Sequence, residues 1–217
     1  MSLSRIEIKI YQNHKKSKGQ NHRFNSWNHC FKAFSDIKDT NLLSLHLGFY
    51  LASWGMYRGS GSLLQNDYLV HQDAISVIKQ YHFLRALKNK ETEVNQTKDI
   101  LDLYSELSKA YEKNGISPTG TLISKVILGT LGCLPAYDRF FKSGAKENSV
   151  TSYEINEKSL ESLFQFIYKE KEPLKNIQSV IYKKDKQFYP IMKLIDMYFW
   201  QLGYDDYEFR KNKKNKL

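Results

Sequence analysis

Two runs, "LLSLHLGFYLASWGMY" (42–57) and "LISKVILGTLGCLPAY" (122–137), are apolar almost all the way round a helix. In the second, the wheel leaves one narrow gap, filled by Thr121, Lys125 and Gly129. Helices of this kind survive only when neighbours cover them, so both read as core helices of a bundle. Each is shorter than the roughly 20 residues that a bilayer span needs, and each carries a His or a Lys, so no membrane span is expected. Only four prolines occur in 217 residues, too few turn residues for a chain of hairpins. The expected fold is therefore all-α, a single-domain bundle of about seven or eight helices, with room for one short N-terminal β element.

That β element would be "RIEIKIYQ" (5–12), in which Ile6, Ile8 and Ile10 alternate with Arg5, Glu7 and Lys9. Alternation is the mark of a half-buried strand, although a short helix is the other reading. A strand here needs a partner, either "SVTSYEIN" (149–156) or a second copy of the chain, making a homodimer through residues 5–11. Helices are then expected near 25–36, at 41–58 as the central rod, at 68–87, and at 98–114 after a Thr97 cap. A fifth should end at Leu131, a sixth should start at Pro135, and a polar linker should cover 143–152. The last two should span 157–170 and 190–203, closed by Gly203. Three parts follow: a basic strand or arm at 1–24, a helical domain at 25–204, and a basic flexible tail at 205–217.

The net charge is +10, but it is unevenly spread. Residues 1–38 hold eight Lys or Arg against two acids, and 205–217 hold five against three. A polyanion should therefore meet "NHKKSKGQNHR" (13–23) and the tail rather than the body. Lys15, Lys16, Lys18, Arg23, Arg58 and Arg139 are the expected nucleic-acid contacts. The two cysteines, Cys30 and Cys133, and an N-terminus without the layout of a secretory signal lead to the expectation of a reduced, intracellular, cytoplasmic protein.

Lys125 and Asp138 are the expected catalytic pair, the lysine on the polar stripe of an apolar helix and the acid in a first helical turn. The order "SPTG", Lys125, "PAYD" resembles that of the helix-hairpin-helix DNA glycosylases. The resemblance implies a lysine and an aspartate working at a nucleotide sugar. Arg23 and His29 fit the Arg, four to six residues, His spacing of a helical ribonuclease superfamily. His46 heads a stripe with Tyr50, Ser53 and Tyr57 at helical spacing and would be a general base in a cleft. In "YRGSGSLL" (57–64), Arg58 and the following amides could cradle a phosphate. No nucleotide-loop, zincin or Cys-x-x-Cys motif is present, so neither metal nor cofactor is expected. The expected function is nucleic-acid binding through the basic N-terminal segment, with glycosylase- or nuclease-like action at a Lys/Asp cleft. The alternative is a non-catalytic helical interaction protein.

Overall fold

A computed structural model describes residues 3–16, 18–19, 21–59, 61–86 and 95–214. Among these the protein is an all-α, single-domain bundle of ten α-helices with no strand. In order they are α1 (Arg5–Lys16), α2 (Asn25–Asp36), α3 (Thr40–Ser53), α4 (Gln72–Gln80), α5 (Asn95–Lys113), α6 (Gly120–Thr130), α7 (Arg139–Glu147), α8 (Glu157–Lys169), α9 (Lys171–Asp185) and α10 (Ile191–Lys214). Short 3₁₀ turns at Tyr68–His71 and His82–Ala86 flank α4. Most of the loop expected over 88–97, and the tail residues 215–217, lie outside the described residues.

The expected N-terminal strand is a helix. Over five residues, Ile6 and Ile10 are both two alternations apart and one helical turn apart, and the helical alternative buries them together while Ile8 faces out. A capping box, "SRIE", closes the start of that helix: Ser4 N–H donates to Glu7 Oε2 at 2.7 Å and Glu7 N–H to Ser4 Oγ at 3.4 Å. Asn176 from α9 also donates to Glu7. α1 lies against α9 and α10, so two of the three isoleucines assigned to a homodimer, Ile6 and Ile10, are buried within their own chain.

The most enclosed rod is α6 rather than α3. Every α6 residue from Leu122 to Thr130 is buried, with α2, α3 and α5 around it, whereas α3 keeps Leu42, Leu45 and Phe49 exposed. Thr119 caps α6 by accepting from Leu122 N–H at 3.1 Å. α3, capped by Asp39, stops at Ser53 and not near Arg58, because Gly55 turns the chain at φ +76°. The expected third helix is shortened to α4 between its two 3₁₀ turns. Thr97 lies inside α5, buried, and does not cap it.

Pro135 does not begin a helix. α7 starts at Arg139, where Asp138 Oδ1 accepts from Phe140 N–H at 3.0 Å and Phe141 N–H at 3.1 Å. It runs on to Glu147, taking up the first half of the expected linker. α9 was not anticipated at all, although Leu174, Ile177 and Ile181 recur at helical spacing on its buried face. Gly203 does not close α10, which continues through the expected tail to Lys214. Instead Gly203 lies where α10 crosses α7, facing Gly144, and the two glycines let backbone meet backbone there. One guanidinium also ties elements together. Arg85 donates to Thr130 O at the end of α6, to Phe31 O, and to Ser35 Oγ at 2.6 Å, with its Cζ 3.7 Å from the Phe31 ring centroid.

Candidate functional site

Lys125 is 5% exposed, and the polar stripe it belongs to is where α3 approaches α6. Gly129 provides the space: a Cβ there would stand 2.4 Å from Tyr50 Cε1. Thr121 Oγ1 donates to Tyr137 O at 2.9 Å, completing the stripe. Lys125 Nζ donates at 2.9 Å to Trp54 O, an orphan carbonyl at the end of α3. Burial lowers the pKa of this ammonium; Asp138 and Asp196 oppose the shift, while Arg58 and Arg23 add to it. Asp138 moves the other way: burial raises its carboxyl pKa, Lys125 opposes, and Asp196 adds.

Sequence reasoning missed the rest of this cluster. Asp196 on α10 accepts from Ala136 N–H through Oδ1 at 3.1 Å and from Lys193 Nζ through Oδ2 at 2.8 Å. Both residues are at most 8% exposed. Two lysines and two aspartates, drawn from α6, the start of α7 and α10, thus share one interior region. The signal was legible: in "PIMKLIDMYFWQ" a lysine and an aspartate interrupt an apolar run one turn apart, as Lys125 interrupts its own run.

The three tryptophans of the chain meet above this cluster. Lys193 Nζ lies 5.3 Å from the Trp27 ring centroid and 5.9 Å from that of Trp54. Between the rings, Asn13, His14, Asn28 and Tyr189 help enclose a cavity of about 20 Å³. Two buried polar atoms without a hydrogen-bond partner, Asn28 Oδ1 and Trp54 Nε1, belong to residues lining this cavity. A space of this size bordered by residues with two unpartnered polar atoms suits a water molecule, not a nucleobase.

Outward from the cavity the rings form a connected wall. Phe24 stacks on Trp54 at 5.1 Å and meets Trp200 edge-on at 5.8 Å; Trp200 stacks on Tyr204 at 5.0 Å. Phe140 then joins Tyr204 at 5.5 Å to Tyr207 at 5.6 Å. Cations rest on this wall: Arg23 is 5.1 Å from Trp54, Lys16 is 4.5 Å from Tyr204, and Arg139 is 4.6 Å from Phe140. Arg58 folds back against Gly55 beside Trp54.

The six expected basic contacts therefore divide. Lys16, Arg23, Arg58 and Arg139 surround the wall. Lys15 lies over Tyr11 at 5.1 Å and Lys18 is paired with Asp185 at 2.8 Å, on the α1/α9 side. Lys15 and Lys16 part because consecutive helical residues point about 100° apart. His46 is half-buried on α3, and among the described residues no hydrogen bond joins it to the cluster. Its expected stripe is broken because α3 ends first: Tyr57 lies beyond the helix and bonds His71 Nε2 at 2.7 Å. His29 is exposed on α2.

Among the described residues no group of His, Cys, Asp and Glu could hold a metal ion, and no helix is long and apolar enough to cross a membrane. No family model, no curated protein and no solved structure matches the chain.

Proposed function

We propose that the chain binds nucleic acid through the cation-covered aromatic wall, with Lys16, Arg23, Arg58 and Arg139 as its phosphate contacts. One observation carries this reading. Among the described residues none of these four side chains forms an ion pair, and three of them lie instead on rings of one connected set. Arg23 and Arg139 rest on rings at the surface without being neutralised, so a phosphate can recruit them at little cost. Lys16 Nζ also donates to Gln201 Oε1 at 2.9 Å and would exchange that bond for the phosphate. Two acids of α10 are already occupied: Asp205 pairs with Lys9 at 2.7 Å, and Asp206 with Arg210 at 2.8 Å. Arg23 and Arg58 both depress the Lys125 ammonium, so an anion placed among them would relieve mutual repulsion.

Binding is favoured over catalysis because the Lys125 ammonium is engaged by Trp54 O and the adjoining cavity is too small for a base. The test is fluorescence anisotropy with labelled oligonucleotides across a salt series. Affinity should fall steeply with salt, and the variant carrying Lys16→Gln, Arg23→Gln and Arg139→Gln should lower the log–log slope by about 2 to 3. Salt-independent affinity, or an unchanged slope in a folded variant, would defeat the proposal.

A second reading, a helical interaction protein, is supported by Leu42, Leu45 and Phe49 on the outer side of α3, with Phe49 61% exposed. Sedimentation of the wild type and of Phe49→Asp tests it. Self-association lost in the variant would favour this reading, and a monomer in both would count against self-association.

A further inference from the structure

We infer that the aromatic wall selects single-stranded over duplex nucleic acid, an inference that rests on the nucleic-acid reading above. The wall has what unpaired bases require and what a duplex cannot use. Trp54, Phe140, Tyr204 and Tyr207 are all partly exposed, linked through Phe24 and Trp200 with ring centres between 5.0 and 5.8 Å apart. Every base has a π-face, so stacking on such rings is tolerant of sequence. In a duplex those faces are already stacked on one another, and only phosphates and groove edges remain to be touched.

The cations reinforce the selection. Arg139 lies close to both Phe140 and Tyr207, 4.6 and 4.8 Å from their centroids, and Lys16 close to the stacked pair Trp200 and Tyr204, 5.4 and 4.5 Å away. When a phosphate draws such a cation outward, the ring beneath is uncovered for the neighbouring base. One movement therefore supplies both a phosphate contact and a stacking surface, and only a strand with free bases gains from both. Bases would lie on the wall and not in it, since the cavity behind it measures about 20 Å³.

The experiment uses the full chain and oligonucleotides of about 12 nucleotides, as single-stranded DNA, single-stranded RNA and duplex DNA, with heparin as a base-free polyanion. Tryptophan emission is read alongside anisotropy. Both single strands should bind at least about tenfold more tightly than the duplex and quench tryptophan emission, while heparin should not quench. Tyr204→Leu with Tyr207→Ala, checked for an intact melting transition, should weaken single-strand binding about five- to tenfold and leave the salt slope unchanged. Should that pair fail to fold, the wild-type strand preference and quenching still decide. Salt-sensitive binding with equal affinity for single strand and duplex overturns this inference alone. Absence of salt-sensitive binding to any of the probes overturns both readings.

Discussion

The α7/α10 crossing makes a prediction whose sign separates two physical effects. Replacing Gly203 by Ala would place a Cβ 2.1 Å from Phe140 O, and the same change at Gly144 would place one 2.1 Å from Phe199 O. Both obstacles are helical backbone and cannot rotate away, so the helices must separate by about 1.3 Å or more to restore ordinary contact. A gap of that size forfeits about half or more of the dispersion energy across the seam. That seam includes the edge-on contacts of Phe141 with Phe199 and of Phe140 with Trp200. Overpacking of this kind costs about 1–3 kcal/mol and occasionally more, whereas Gly to Ala within a helix returns about 1 kcal/mol through propensity. With two obstructed backbone atoms, the high end should prevail, giving a net loss of about 2 kcal/mol for either variant. Urea and thermal unfolding measure it, and the melting temperature should fall by about 4–8 °C. Because one separation relieves both clashes, the double variant should cost clearly less than the sum of the singles. Gly120→Ala is the control, since its Cβ would meet Tyr104 Oη at an ordinary 3.5 Å, and it should stay within about 0.5 kcal/mol. A neutral or stabilised Gly203→Ala would refute the reasoning.

Arg85→Ala should destabilise by about 2–4 kcal/mol in urea unfolding, because it strips donors from Thr130 O and Phe31 O, and Arg85→Lys should rescue little, lacking the planar fork. His71 is fully buried between the hydroxyls of Tyr57 and Tyr111, and burial pushes its pKa down to about 4. A depressed histidine contributes stability that is complete above its unfolded pKa of about 6.5 and is lost as pH falls from there towards 4. The loss should approach about 3 kcal/mol at the acid end, read as a steeper decline in wild type than in His71→Gln in melts at pH values from about 7.5 to 4.

The helical class was legible because periodicity and caps are local. Leu122 to Leu131 could only be a covered helix, and Thr119, Asp39 and Asn156 take up cap positions through bonds within a few residues. Where local signals are degenerate, the long-range contact decides. Ile6, Ile8 and Ile10 fit a strand or a helix equally over so short a span, and the surface offered by α9 and α10 made the helix the better burial. Gly203 has the composition of a stop but serves as a spacer, because what it permits is the approach of a helix some sixty residues away in sequence.

The candidate site divides along the same line. That Lys125 and Asp138 are unusual could be read from charges set in or beside apolar runs, and Lys193 and Asp196 carried the same mark unread. That Trp54 O receives Lys125, that three tryptophans converge, and that Lys16, Arg23, Arg58 and Arg139 share a wall while Lys15 and Lys18 do not, are properties of packing alone. The sequence by itself determined which side chains had to leave water or remain in it, since transfer energies belong to residues. Tertiary structure decided which of them meet, since a contact between separate helices depends on crossing points set by side chains far apart along the chain.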